Sequence, residues 1–309
     1  MISNPRSGHN RDRFAAVAAA LAARSRVRHF ITGSAGELPA VCAELAAQPP
    51  ELLVVNGGDG TAAAVFAALL ETCPAQRCPL LALLPGGTAN MTAGDVGIRG
   101  SLRAALRRLL GWIDAPGGGA VVERAVLRVE IRGEPRRYGM FLGAGLIMAG
   151  TEYAHRALHA RGLRDDLSLG LSLARGLWGL ARGEPGFGQT QPLALAIDGG
   201  ERREFDARIL AVSTLERLFL GLRPFWGREP GPLALSLVEA DARGLLRRLP
   251  GLLRGRPGAG ASAAHGYHSH RGARLRLEFD GACNLDGEIL HLSGPMAIDA
   301  AGPLRFLRL

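Results

Sequence analysis

The sequence predicts two domains of different class: an α/β unit with a parallel sheet first, then a β-rich unit. Over the first hundred or so residues, short apolar runs alternate with amphipathic, Ala-rich stretches, the spacing of a parallel sheet covered by helices. That alternation stops at the turn-forming run Pro116-Gly117-Gly118-Gly119. Beyond it come strand-like runs separated by Gly and Pro turns, the pattern of an antiparallel sandwich. A chain of 309 residues is also longer than a single core usually serves.

Each element follows from its local pattern. Met1-Ile2-Ser3 leaves room for almost no strand before Asn4-Pro5, as though several residues had been clipped from the start. Residues 11–24 read as a helix, Val27 to Ile31 as a strand, and 36–47 as a second helix. Leu52-Leu53-Val54-Val55 is an apolar run of buried-strand length. Residues 61–71 return to helical pattern, and Pro79 to Leu84 is a strand ended by Pro85-Gly86-Gly87. Residues 101–112 put Arg103, Arg107 and Arg108 on one side and leucines on the other, as an amphipathic helix does. In the second domain, strands are expected at Val126–Ile131, Leu193–Ile197, Ile209–Ser213, Leu233–Val238 and Leu275–Phe279, with helices near 147–160 and 166–182.

Composition narrows the chemistry. The net charge is +9 and every one of the 37 basic residues is arginine. With no lysine, a Walker A loop, a protein-kinase lysine and a Schiff-base lysine are all excluded. A phosphate site must therefore use backbone N–H groups, arginine or a metal. The basic balance admits an anionic partner, but no zinc finger, RNP-type strand or basic repeat points to nucleic acid. The cysteines at 42, 73, 78 and 283 are scattered. They make no zinc set and fit a reduced, cytosolic compartment. No signal segment and no apolar run of membrane-spanning length is visible.

The chemistry-bearing residues cluster in loops after strands. Asn56-Gly57-Gly58-Asp59-Gly60-Thr61 follows a buried strand and opens a helix. Its glycines permit close backbone approach to a phosphate, and the helix start offers N–H donors and a positive dipole end. Asp59 suits Mg²⁺ or a hydroxyl near phosphates, while Thr61 suits a cap or a phosphate donor. A tight βα turn alone needs fewer glycines. Pro85-Gly86-Gly87-Thr88-Ala89-Asn90 ends the next strand, and ligands gather at the carboxyl ends of strands in open parallel sheets. Asn4-Pro5-Arg6-Ser7-Gly8 precedes the first helix, with Ser7 and Gly8 in an N–H-rich turn and Arg6 within reach of a phosphate.

The order Asn-Pro-x-Ser-Gly, Gly-Gly-Asp-Gly-Thr, Gly-Thr-x-Asn and, near the end, Asn284-Leu285-Asp286-Gly287-Glu288 resembles the diacylglycerol kinase and sphingosine kinase superfamily, especially its small bacterial members. The motifs run over nearly the whole chain. The resemblance implies a phosphofructokinase-like α/β domain over 1–116, joined by a returning segment at 295–309. It also implies a β-sandwich lipid-substrate domain over 117–294, with ATP between the two. Implied nucleotide-binding residues are Asn4, Arg6, Ser7, Gly8, Thr32, Gly57, Gly58, Gly60, Thr61, Thr88, Asn90 and Asp286. Asp59 and Asp286 are the implied Mg²⁺ ligands. Asp59 and Glu288 are the implied catalytic residues, with Glu288 as the base toward a lipid hydroxyl. The implied activity is ATP-dependent phosphorylation of a lipid alcohol by a cytoplasmic protein that touches the inner face of an anionic membrane. Asp286-Gly287 also suits a plain hairpin turn.

Two positions depart from the family pattern. Met91 stands where an Asp usually follows Gly-Thr-x-Asn, with Asp95 one helical turn later. Glu229-Pro230-Gly231-Pro232-Leu233 lacks the Asp of a structural Mg²⁺ site. These departures favour a non-catalytic nucleotide- or lipid-binding relative, and a soluble-metabolite kinase of NAD-kinase type shares the Gly-Gly-Asp-Gly loop. His265, His268 and His270 lie in a stretch rich in Gly, Ala and Ser that reads as an exposed loop. Arg243 to Arg254 mixes leucine pairs with arginines and suits either an anionic membrane or a surface helix with its leucines inward.

Overall fold

A computed structural model describes residues 1–22, 24–153 and 190–309, together with 179 and 182. The chain divides into two compact units, residues 1–126 with 301–309, and residues 127–300. The first crossing falls inside a strand, beyond the glycine run, because Ala120–Ile131 (β5) continues unbroken through it. The return is likewise inside a strand, Glu288–Arg308 (β13).

The first unit is built on parallel strands Ile2–Ser3 (β1), Phe30–Ile31 (β2), Leu52–Gly57 (β3) and Leu80–Pro85 (β4). β1 pairs in parallel with β2 and with β3, β3 pairs with β4, and the end of β13 adds to β4 through Phe306 and Leu81. The chain leaves β1 for β2 on one side and then crosses to β3 on the other. That is a topological switch point, and the register brings Ser3, Asn56 and Ile31 to the same end of it. Alternation along the strands sorts their side chains. Val54, Ala82 and Leu84 join Val17 and Leu21 of helix α1 (Asn10–Ala22) and Leu102, Leu106 and Leu109 of helix α5 (Leu102–Asp114) in one core. On β13, Leu307 joins this core while its neighbour Phe306 meets Phe66 of helix α3 (Asp59–Thr72) edge-on at 5.6 Å. Helix α2 (Leu38–Ala47) packs beside α3. Helix α3 starts two residues earlier than its apolar pattern, so Asp59, Gly60 and Thr61 form its first turn. The short helix α4 (Met91–Val96) has too few residues to show a period and escapes sequence reading.

The second unit is antiparallel. β9 (Arg203–Ser213) and β12 (Arg274–Leu285) are long strands that share two short neighbours end to end. β7 (Phe141–Gly145) pairs with 209–213 of β9 and with 283–285 of β12, while β8 (Gln191–Ile197) pairs with 203–207 and 275–278. β10 (Leu233–Glu239) and β11 (Tyr267–Gly272) extend the ladder beyond β9, and β13 and β5 extend it beyond β12, with β6 (Arg137–Gly139) on β5. The result is one connected ladder, not two separate sheets, because the long strands change partners along their length. Its inward side chains, among them Leu142, Val212, Leu235, Leu277 and Ile298, form one core.

One expectation changes here. The stretch holding His268 and His270 is strand β11, paired along its length with β10, not an exposed loop. His268 is buried, with Nε2 2.5 Å from Glu239 Oε1, and His270 Nδ1 lies 2.7 Å from Glu229 Oε1. The expected helix at 147–160 is seen as α6 (Leu146–Tyr153). Its remainder and nearly all of 166–182 lie outside the described residues. Among the described residues no helix is long and apolar enough to cross a membrane.

Asp299 ties β13 to its neighbours. It is 8% exposed and accepts hydrogen bonds from Arg274 Nε and, at 3.4 Å, from Arg128 Nη2. Burial disfavours its charge, yet the two guanidinium bonds outweigh burial and hold its pKa below the usual aspartate value. A depressed folded-state pKa contributes stability that is present above the unfolded value, near 4, and is lost as pH falls through the folded value. Urea midpoints of the native protein should therefore drop more steeply below about pH 5 than those of Asp299→Asn. Parallel pH profiles would assign acid sensitivity to other groups.

Candidate active site

At the carboxyl ends of β1, β3 and β4 the three motif loops meet. Asn4 N–H donates to Asn56 O at 2.9 Å, and Gly86 N–H donates to Gly57 O at 3.1 Å, which ties the loops to one another in order. Side chains complete the network. Asn4 Nδ2 donates to Thr61 Oγ1 at 3.1 Å, Ser7 Oγ accepts from Gly58 N–H at 3.3 Å, and Ser7 Oγ lies 3.4 Å from Thr61 Oγ1. Beneath them Asn10 Nδ2 donates to both Asn4 O and Asn56 O, at 2.8 and 3.1 Å. Asn10 was not singled out from sequence. Its only signal is that Asn is a common residue at helix starts.

The glycines are required by contact. A Cβ on Gly87 would lie 2.3 Å from the Gly58 Cα, and one on Gly8 would lie 2.5 Å from Thr88 Oγ1. The second and third loops thus touch backbone to backbone. Gly60 is the opposite case, since a Cβ there would meet nothing within 4 Å. Gly60 is exposed on the first turn of α3 and lines a cleft of about 380 Å³. The cleft is also lined by Asn4, Arg6, Ser7, Gly8, Thr32, Gly58, Thr61 and Thr88, and by Ser34, Leu38, Ala64 and Gly87, which sequence reading had not named as site residues. Gly57 and Asn90 lie behind this surface, in contact with a smaller crevice. The first bond along α3 runs from Ala62 N–H to Gly58 O, so the N–H groups of Asp59, Gly60 and Thr61 have no partner within the helix. Such an end binds anions, and Arg6, held by Nη1 to Gly33 O at 3.3 Å, adds positive charge at the rim.

Asp59 points elsewhere. It is 8% exposed, and its Oδ1 and Oδ2 accept from Thr92 N–H at 2.8 Å and Met91 N–H at 3.1 Å. These are the first N–H groups of α4, so Asp59 caps that helix from another loop. Asn90, left-handed at φ 48°, closes the Gly87–Asn90 loop on itself through bonds of 2.7 and 2.8 Å with Gly87. Asp95 is paired with Arg124 at 3.1 Å, both little exposed.

Asp286 and Glu288 belong to the second unit. Asp286-Gly287 forms the two-residue turn of the β12–β13 hairpin, with φ of 49° and 97°, the mirror-image turn that suits twisted strands. Asp286 Oδ2 and Oδ1 accept from Met140 and Phe141 N–H at 2.7 and 3.0 Å. Glu288, its side chain 63% exposed, pairs with Arg137 Nη1 at 2.6 Å. Both carboxylates expected as metal ligands are thus engaged by pairs of backbone N–H groups. Among the described residues no cluster of three His, Cys, Asp or Glu side chains is placed to hold a metal. Glu229, at the position of the family's structural-metal turn, pairs with His270 instead. A concavity of about 850 Å³ around Arg128, Arg274, Arg276 and Asp299 is in the second unit and holds none of the motif residues.

The family model of the diacylglycerol kinase catalytic domain matches residues 1–115, so the resemblance read from the loops is shown over the unit that holds them. Solved structures share the fold. A Bacillus anthracis str. Sterne protein provisionally called a diacylglycerol kinase is 19% identical, with a TM-score of 0.69 over 99% of this chain and 95% of its own. A second structure, of a diacylglycerol kinase from the same organism, is 18% identical, with a TM-score of 0.61 over 99% and 94%. Yeast NADH kinase complexed with NADH is 11% identical, with a TM-score of 0.50 over 100% and 82%. Among curated proteins none matches the sequence.

Gly60 and Gly87 separate fold from ligand. Gly87→Ala should lower stability by about 1–3 kcal/mol, because the new methyl meets backbone. Gly60→Ala should keep or raise it by about 0.5–1 kcal/mol, as alanine does in a helix. That same methyl enters the cleft, so Gly60→Ala should lose most of any thermal shift given by ATP. A full ATP shift in Gly60→Ala would move the phosphates away from this helix turn.

Proposed function

We propose that this chain is an ATP-dependent lipid kinase that transfers the γ-phosphate of ATP to the hydroxyl of a lipid such as diacylglycerol. The observation that carries the reading is the meeting of three glycine-containing loops at the switch point of a parallel sheet, within a region matched by a diacylglycerol kinase catalytic domain. Switch points are where such sheets bind ligands. A lysine-free chain needs a phosphate cradle of this backbone-rich kind.

In this reading the first-turn N–H groups of α3 take phosphate oxygens. Ser7, Thr61 and Thr88 add hydroxyl donors, Arg6 adds charge, and Asn4 and Thr32 complete the nucleotide contacts. Gly57, Gly58, Gly8 and Asn90 set the loop paths. Asp59 is a positioning residue that holds α4 and the loop before it. The engagement of Asp59 and Asp286 by backbone N–H groups does not fit a resident Mg²⁺ held by the protein. ATP brings its own Mg²⁺ as part of the substrate, and no step is routed through a protein-bound metal. Glu288 is the proposed base: it takes the proton of the lipid hydroxyl as that oxygen attacks the γ-phosphorus and ADP departs. Arg137 must release Glu288 for this, and Asp286 fixes the turn that carries it. The protein would work from the cytoplasm at the inner face of a membrane, where its lipid resides. A nucleotide-binding relative without catalysis is the second reading, favoured by Met91 in place of the family's usual Asp.

Labelled ATP with Mg²⁺ and a panel of lipid alcohols in mixed micelles tests the reaction directly, with NAD as the competing soluble acceptor. Label in a lipid is expected. Label in NAD alone would make the chain a metabolite kinase, and label in neither, with ATP still bound, would favour the second reading. Glu288→Gln should lower turnover by about 10²–10⁴-fold and leave the ATP-induced thermal shift within the native range. Near-normal turnover in that variant would remove Glu288 from the chemistry.

A further inference from the structure

Away from the motif loops, one surface of the second unit combines exposed apolar side chains with unpaired positive charge. Residues 218–222 form a closed turn in which Leu218 N–H donates to Leu222 O at 2.8 Å and Gly221 N–H donates to Leu218 O at 3.0 Å. Its tip is Leu220, 59% exposed and at φ 55°. Left-handed backbone is unfavourable for a bulky residue, whereas glycine adopts it freely. Packing does not account for a strained leucine that faces water.

The turn is joined to a helix of matching character. Arg223 N–H donates to Leu253 O at 2.8 Å, at the end of helix α7 (Leu245–Leu252). Leu245, Leu249 and Leu252 face the core beside Tyr267. Leu246 is 44% exposed, Pro250 is exposed and Leu253 is half-buried, an i, i+4, i+7 stripe that leads toward Arg223 and the turn. Arg223, Arg247, Arg254 and Arg256 flank it and are exposed. Among the described residues none of these four pairs with a carboxylate, and the sequence has no acidic residue between Asp241 and Glu278.

We infer that the 218–222 turn and the outer face of α7 form one docking surface for an anionic lipid bilayer. Leu220 and Leu246 enter the acyl boundary, and the arginines engage lipid phosphates. A soluble polyanion would use the arginines but gain nothing from leucines presented to water, and a lipid surface uses both. The inference deepens the proposed function, since a lipid substrate is met at a bilayer, yet its test needs no catalysis.

The full chain is sedimented with vesicles of phosphatidylcholine alone, or with about a third phosphatidylglycerol. Strong binding is expected only to the anionic vesicles, falling as salt rises. Leu220→Gly relieves the backbone strain, so its melting temperature should hold or rise while partition onto anionic vesicles falls about tenfold. Arg223→Gln combined with Arg254→Gln should lower partition by about tenfold or more. Unchanged partition for Leu220→Gly, a lowered melting temperature for it, or equal binding of the native chain to neutral vesicles would each overturn the docking surface. Binding of an oligonucleotide that is lost in the arginine variant, with vesicle binding unmoved, would make nucleic acid the partner instead. If docking follows the expected pattern while no lipid is phosphorylated, the docking stands and the substrate reading falls.

Discussion

The contact between Gly58 and Gly87 is the constraint on which the motif loops depend. A Cβ on Gly87 would sit 2.3 Å from the Gly58 Cα, and one on Gly58 would sit 3.1 Å from the Gly87 Cα. This closeness lets Gly86 N–H reach Gly57 O and lets Asp59 reach across to the start of α4. One acidic side chain therefore neutralises two helix-end donors while the first turn of its own helix stays open. The negative charge of Asp59 is taken up by α4, so the N–H groups beside Gly60 keep their positive end for an anion.

A similar economy governs the second unit. β9 and β12 are long enough to hold β7 and β8 end to end between them. The Asp286 turn then secures the start of β7 through two backbone bonds. A hairpin tip is usually free to move, and this one is fastened at its turn residue. Glu288, one position past the turn, is consequently carried on a fastened support while its carboxylate stays exposed and paired with Arg137.

The charge of the chain has two uses that composition alone does not distinguish. Some arginines are consumed internally, such as Arg124 on Asp95 and Arg128 and Arg274 on Asp299. Others, on α7 and after the 218–222 turn, face water and have no carboxylate partner among the described residues. An all-arginine surface is well suited to phosphate, because the planar fork binds two oxygens at once. Arg6 presents the same fork at the rim of the cleft.

Sequence by itself determined the class of each half, the order of the glycine-containing loops after the strands and the absence of any lysine-based phosphate site. These are legible because strand and helix periods, glycine runs and residue types are local properties. Asn4, Ser7, Gly8, Gly58, Gly60, Thr61 and Thr88 were named from motif order and share one cleft. What only the tertiary structure decided is where polar groups find partners. The bonds that Asp59 and Asp286 accept come from N–H groups at 91–92 and 140–141, which are distant from them in sequence. His268 and His270 read as an exposed loop because small residues surround them, and β11 exists only through its pairing with β10. Leu220 gave no sequence signal at all, since its distinction is a positive φ and exposure to water. Local pattern fixes what a segment can become, and the long-range hydrogen bonds that choose among those options form only once distant segments are packed together.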